Sequence, residues 1–241
     1  QGANQEEKAS VEEISVGHKF LHDRVQQAAY SLIPDRQKAG KHLIIGRLLL
    51  MKTTGLSLKS QCLIKCDSKT LFDIVNHLNI GSNEVLVSEE KQSLACLNLQ
   101  AGYRAKKTIA YTAALNYSEK GISLLDDRPW ELQYDLCLGL KELAAETAYL
   151  CGDFQKMVTW VTLVGENART VIDCIKVNEV EIQGFIARSQ FKELIGLARR
   201  VLQLLHIELP NPVLPVDISN ALARVRTQLG TSSIASLATL P

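Results

Sequence analysis

The sequence lacks an excess of charge of either sign. It carries 27 Lys and Arg against 26 Asp and Glu in 241 residues, which gives a formal net charge of +1 at pH 7. Proteins that bind nucleic acid or an anionic membrane surface usually concentrate basic residues. We therefore expect no nucleic acid and no membrane among the partners of this chain.

The sequence also lacks an apolar run that could cross a membrane. The longest stretch, His42 to Met51, is interrupted by Arg47 and is far shorter than the roughly 20 residues of a spanning helix. The six cysteines are dispersed in a chain too large to need disulfides, which favours reduced thiols and a cytoplasmic location. The chain begins at Gln1 without a leader pattern, so we expect another segment to precede it.

No complete catalytic motif is present. Gly40-Lys41-His42 does not satisfy the pattern of a phosphate-binding loop, and the dinucleotide-binding, serine-hydrolase and zinc-protease patterns are missing. Cys62, Cys66 and His77 do not have the spacing of a common structural zinc site, so packing cysteines are favoured. We expect no catalytic residue, metal or cofactor in this segment.

The N-terminal part combines polar, alternating and helical patterns. Residues 1–13 are polar and predict a disordered lead-in. From Ile14 to Phe20 apolar and polar residues alternate, which is typical of a short strand. Asp23 and Gln26 resemble a capping box and predict a helix that ends at Pro34. His22 then lies at a strand-to-helix junction.

Two further helices are expected before the middle of the chain. The spacing of apolar residues predicts one helix from Asp35 to about Met51 and another over 68–79, ending at Gly81. With the strand and the first helix, they make up a predicted unit of residues 14–87.

Residues 88–209 contain an internal repeat of three helical hairpins. The second helix of each hairpin opens on an aromatic residue, and these residues are 43 and 37 positions apart: Tyr111, Phe154 and Phe191. Because one hairpin cannot bury its own apolar face, stacked neighbours supply the core, as in tetratricopeptide-type arrays. An irregular helical bundle would show similar spacing. Both alternatives are all-α, and we favour stacked hairpins in an α-α superhelix.

The last part, residues 210–241, is predicted to be a linker and a helix. Pro210, Pro212 and Pro215 mark the linker, and a helix is expected from about Val216 to Leu229. The apolar turn at 234–240 gives the chain a surface for self-association.

Several strings of residues resemble one protein family. They are Phe20-Leu-His-Asp-Arg-Val-Gln-Gln-Ala-Ala-Tyr-Ser-Leu-Ile-Pro34, His42-Leu-Ile-Ile-Gly-Arg-Leu-Leu-Leu50, Leu71-Phe-Asp-Ile-Val-Asn-His-Leu-Asn79 and Leu97-Asn-Leu-Gln-Ala-Gly102. Together they are similar to the helical segment after the STAND-type AAA ATPase in large bacterial sensor kinases. In that family a Ser/Thr-kinase domain, the ATPase, helical repeats, a GAF domain and a histidine kinase share one chain. The resemblance implies regulation, with ATP or ADP and magnesium bound elsewhere in the parent protein and no activity in this segment.

Leu21-His22-Asp23 is similar to the Met-His-Asp motif in the winged-helix part of STAND proteins, whose histidine faces the ADP phosphates. This resemblance implies a winged-helix remnant and a nucleotide-sensing role for His22 and Asp23. An imidazole can donate a hydrogen bond to a phosphate oxygen and titrates near neutral pH. The alternative is structural: Asp23 caps the helix and His22 packs locally.

Two functional hypotheses remain. The first is a regulatory module whose groove binds a peptide or the other domains of the parent chain. Its candidate groove residues are Asn98, Arg104 and Lys141, for which solvated surface is the simpler interpretation. The second is a metal-dependent phosphohydrolase that uses His22 and Asp23, with His42 and His77 as additional ligands. DNA binding, which a winged-helix remnant would suggest, is disfavoured by the charge balance.

Overall fold

The computed structural model describes residues 23–55, 57–58, 63–85, 87–207, 210 and 212–229. Within these ranges all regular secondary structure is helical, which confirms the predicted all-α class. The α-helices are α1 (Asp23–Ser31), α2 (Asp35–Thr54), α3 (Ser68–Ile80), α4 (Ser88–Lys107), α5 (Tyr111–Ile122), α6 (Pro129–Leu132), α7 (Tyr134–Leu150), α8 (Phe154–Asn167), α9 (Ile175–Ala187), α10 (Phe191–Leu204) and α11 (Pro215–Leu229). Short 3-10 turns lie at Ser82–Glu84 and Ile172–Cys174. The predicted strand at 14–20, His22 and the apolar turn at 234–240 lie outside the described residues.

Local signals set the ends of α2 and α3. α2 continues three residues past the predicted end at Met51, and it stops at Gly55, whose φ of 72° lies in the left-handed region. α3 begins after Asp67, whose carboxylate accepts a hydrogen bond from the Thr70 amide at 3.0 Å. A Cβ at Gly81 would lie 2.7 Å from the Leu43 amide nitrogen, so the close approach of the two helices requires glycine there.

Three helical hairpins follow: α4 with α5, α7 with α8, and α9 with α10. Their second helices begin at Tyr111, Phe154 and Phe191, the aromatic residues that define the sequence repeat. We call α4, α7 and α9 the leading helices.

The same three-residue turn closes each hairpin. Its central residue has a positive φ, 63° at Ile109, 77° at Gly152 and 57° at Ser189. In each turn the next amide donates to a carbonyl five residues back, for example from Asp153 to Ala148 at 2.9 Å. This is the Schellman end of a helix, in which a left-handed residue lets the last carbonyls find donors. The turns are therefore repeated with the same 43- and 37-residue offsets as the aromatic residues.

Two apolar clusters hold the helices together. The first includes buried residues of α2, α3, α4 and α7, and the second lies between α5, α7, α8 and α9. α5 packs against α7, and α9 packs against both α7 and α8, so consecutive hairpins are stacked. Each fully buried leucine, such as Leu97 and Leu140, contributes about 1.5–3 kcal/mol to this core.

α11 begins one residue before its predicted start and has no buried residue. Ile218, Leu222 and Val225 lie on one side of it and are each about half exposed. Among the described residues, no helix combines the length and the apolar character that a membrane span requires.

Candidate functional site on the leading-helix face

A short non-helical segment, residues 63–66, lies against α4, and we call it the strap. The side-chain amide of Gln100 makes two hydrogen bonds with Ile64: its Oε1 accepts from the Ile64 amide at 3.1 Å, and its Nε2 donates to the Ile64 carbonyl at 2.6 Å. Nη1 of Arg104 donates to the Cys66 carbonyl at 2.6 Å. Gln100 and Arg104 thus hold the strap through its backbone, and we call these two residues the clamp.

The spacing of the clamp matches the spacing of the strap carbonyls. Helix residues four positions apart are separated by about 6 Å along the axis, and extended residues two positions apart by about 6.6 Å. Gln100 exchanges both hydrogen bonds with one residue, as a neighbouring strand would. A helix with polar side chains at this spacing can therefore hold a non-helical chain regardless of its side chains. The strap is also anchored by Ile64, which is 1% exposed and belongs to the first apolar cluster.

A cleft of about 550 Å³ lies beside the strap. Leu63, Leu99, Tyr103 and Leu136 give it a mostly apolar lining, with Lys107 at its edge. Burial raises the pKa of the Tyr103 phenol, and Glu142 and Glu146 act in the same direction against Lys176. The hydroxyl of Tyr103 therefore stays protonated at neutral pH. The cleft offers apolar contact next to a hydrogen-bond donor.

Ion pairs connect the leading helices along the same face. Lys106 of α4 lies 2.7 Å from Glu146 of α7, and Lys176 of α9 lies 2.9 Å from Glu142 of α7. The Glu142 side chain is only 11% exposed. These pairs fix the position of one hairpin relative to the next.

Of the three predicted groove residues, Arg104 lies on this face and binds the strap. Asn98 is fully buried, and its amide exchanges two hydrogen bonds of 2.8 Å with the amide of Asn79 on α3. Burial removes Asn98 from any surface that a peptide could contact. Gln100 was not predicted, although its four-residue spacing from Arg104 is visible in the sequence.

Lys141 is also buried, with 7% of its surface exposed. Its Nζ lies 5.8 Å from the centre of the Trp130 ring and 5.1 Å from that of Trp160. Burial lowers the pKa of Lys141, and Cys137 has a weaker opposite effect. The expectation of solvated surface is therefore wrong for both Asn98 and Lys141.

The residues of the hydrolase hypothesis are only partly brought together. His42 and His77 are adjacent, with their Nδ1 atoms 2.8 Å apart. His22 lies outside the described residues, and so does the side chain of Asp23, the first residue of α1. Within the described ranges, no three His, Cys, Asp or Glu side chains are grouped so that they could hold a metal ion.

Comparison with known proteins adds one relative. The chain is 26% identical over 156 residues to "Hybrid signal transduction histidine kinase G" of Dictyostelium discoideum, an alignment that covers 58% of this chain and 4% of that protein. The chain is distantly similar to part of a signalling kinase. It therefore spans only a small fraction of this relative's length. No family model and no solved structure matches the chain.

Proposed function

We propose that this chain is a regulatory, protein-binding segment of a multidomain cytoplasmic signalling protein. In this proposal the three hairpins form a tetratricopeptide-like array, and the leading-helix face binds a segment of the parent chain or of a partner protein. The segment carries no catalytic site. It transmits the nucleotide state of a neighbouring ATPase domain to the output of a kinase domain.

The clamp is the observation that carries this proposal. Gln100 and Arg104 already hold one non-helical segment by its backbone, and hydrogen bonds to the backbone supply affinity that does not depend on the sequence of the peptide. The apolar cleft next to the strap would add side-chain selectivity. The distant similarity to a histidine kinase supports a role in signal transduction.

The path from nucleotide to array would run through α1. Asp23 begins α1, so a change at the neighbouring His22 would move this helix. Tyr30 of α1 is hydrogen-bonded to Nε2 of His42 on α2 at 3.0 Å. Because α2 and α3 share an apolar cluster with α4, displacement of α1 would shift α2 and α3 and, through them, α4, the first helix of the array.

The test uses the intact signalling protein. Phosphoryl transfer from ATP is measured with and without added ADP for the wild type, for the double variant Gln100→Ala/Arg104→Ala, and for the control Lys52→Ala, which changes an exposed residue of α2 outside the cleft. We expect the clamp variant to change the ratio of the two outputs about fivefold or more, and the control to leave it unchanged. An unchanged ratio, in a folded variant whose strap amides exchange faster, would refute the proposal.

A second measurement separates this function from the phosphohydrolase hypothesis. Elemental analysis and thermal denaturation of the purified chain are carried out with divalent metals, ADP and ATP. A stoichiometric metal, with a metal-dependent stabilisation that disappears in His22→Ala, would refute the regulatory function and support the phosphohydrolase hypothesis.

A further inference from the structure

A groove of about 700 Å³ lies between α1, α2 and α3. The clamp residues Gln100 and Arg104 do not line it. Its apolar lining includes Ile33, Ile45 and Ile80. Its polar lining comes from two lysines, two histidines, a glutamine and a tyrosine: Lys38, Lys41, His42, His77, Gln27 and Tyr30. Of the described residues that line the groove, none is acidic. The groove thus combines an apolar wall with cationic groups and has the size of a small-molecule site.

Three aromatic side chains form a chain of hydrogen bonds in this groove. The Tyr30 hydroxyl lies 3.0 Å from Nε2 of His42, and Nδ1 of His42 lies 2.8 Å from Nδ1 of His77. A bond between two Nδ1 atoms requires one of them to carry the proton and the other to accept it. If His42 donates from Nδ1, Nε2 of His77 carries a proton and is free to donate to a ligand. If His77 donates from Nδ1, Nε2 of His42 donates to Tyr30, and the Tyr30 hydroxyl is free to donate instead. Either arrangement leaves one hydrogen-bond donor near the groove.

The charged groups named around the pair lie on α2 and α3. Lys38 on α2 is paired with Asp35 at 2.6 Å and lies 4.9 Å from the centre of the Tyr30 ring on α1. Burial and the neighbouring His42 lower the pKa of His77, and Asp73 on α3 opposes them more weakly. Lys41 is exposed at the rim. An anion entering the groove would meet Lys41 and the hydrogen-bond donor that the Tyr30, His42 and His77 side chains leave free.

We propose that this groove binds a small organic carboxylate with a compact apolar body. The isoleucines would cover the apolar body, and Lys41 with the histidine pair would hold the carboxylate. The ligand would contact Tyr30 and Ile33, near the end of α1, as well as α2 and α3. It would therefore hold α1 against the other two helices. This ligand site lies outside the clamp, and the proposal that it binds a carboxylate does not depend on the function proposed for the clamp.

Calorimetric titration of the purified chain tests the site with two acids and their neutral analogues. The acids are octanoate and 2-naphthoate, and the analogues are octanamide and 2-naphthamide. We expect at least one acid to bind saturably and about fivefold or more tighter than its amide, because the amide lacks the charge. Binding of octanoate alone identifies an aliphatic ligand, and binding of 2-naphthoate alone identifies an aromatic one.

Two matched variants locate the site. Lys41→Gln should weaken acid binding about two- to fivefold and leave amide binding unchanged. Lys52→Gln removes the same charge from α2 about 16 Å along the helix and should have no effect. Ile45→Ser should weaken both acid and amide.

The proposal is overturned by any of three results: neither acid binds saturably, acid and amide bind equally well, or Lys41→Gln and Lys52→Gln weaken binding to the same extent. Each of these results concerns only the groove. The clamp experiment on the intact protein would be unaffected.

Discussion

Replacement of Lys141 by methionine tests whether a buried ammonium group destabilises the fold. The Lys141 side chain is 7% exposed and lies between the Trp130 and Trp160 rings. Among the described residues, no carboxylate forms an ion pair with it. Methionine has a similar length, is flexible and carries no charge. It can fill the same space between the two rings.

The expected change follows from two opposing effects. Removing an ammonium from water costs several kcal/mol, and each aromatic face returns about 0.5–2 kcal/mol. Buried charges replaced by apolar residues of similar volume often increase stability by about 1–4 kcal/mol. Because two rings partly compensate the charge of Lys141, we expect Lys141→Met to raise the free energy of unfolding by about 1–2 kcal/mol at neutral pH.

The gain should depend on pH. Burial lowers the pKa of Lys141 in the folded chain below the ordinary value of 10.5. Between the folded and the unfolded pKa, the unfolded chain binds more protons, so the stability of the wild type rises with pH in that window. Methionine does not titrate and removes this rise. The advantage of the variant is therefore largest below the folded pKa and shrinks as the pH approaches 10.5.

Urea denaturation, followed by tryptophan fluorescence at about pH 7 and about pH 9.5, measures both effects. Lys107→Met is the matched control, since Lys107 is exposed on α4, and it should change stability little at either pH. A Lys141→Met variant that is less stable than the wild type by the same amount at both pH values would refute the reasoning. The ammonium would then make a net favourable contribution to the fold.

Three further predictions concern the turns, the asparagine pair and the clamp. Gly152 and Ile109 both have a positive φ, which favours glycine over a residue with a Cβ. Gly152→Ala should therefore lower the free energy of unfolding by about 1 kcal/mol, whereas Ile109→Gly should leave it unchanged or raise it. Equal losses of stability for the two variants in thermal denaturation would contradict this. Asn98→Ala should cost about 1–3 kcal/mol by leaving the Asn79 amide without its partner, and a double-mutant cycle with Asn79→Ala should show strong coupling rather than additive losses. Gln100→Ala should increase hydrogen exchange at the Ile64 amide about tenfold, with Lys107→Ala as the unchanged control.

The parts of the fold that could be predicted from the sequence depend on local signals. Tyr111, Phe154 and Phe191 each follow a short turn and open a helix, and the structure begins α5, α8 and α10 at these residues. Gly55 and Gly81 follow the last helical residues of α2 and α3. Such signals lie within a few residues of the boundary they determine, so they can be recognised without the tertiary structure.

The misplaced residues depend on contacts that are distant in sequence. A single amphipathic helix buries one face, and Asn98 and Lys141 were expected on the other. α4 is covered by α3, α5 and α7, and α7 by α5, α8 and α9, so a wider arc of each leading helix is buried. Likewise, Gln100 is 36 residues from the backbone that it binds. Periodicity within one helix carries no information about a third helix or a strap.

Polar pairs on the leading helices help to explain why the helices of this chain pack in one register. The apolar positions alone are nearly interchangeable, since Leu97 and Leu140 occupy equivalent places in successive repeats and both are fully buried. Polar pairs are not interchangeable. A shift of α3 along α4 by one turn would leave the buried Asn98 amide without Asn79, at a cost of about 1–3 kcal/mol. The same shift between α4 and α7 would separate Lys106 from Glu146, which are 2.7 Å apart in the observed register. Apolar burial thus favours stacking in general, and the polar pairs discriminate the observed arrangement from its neighbours.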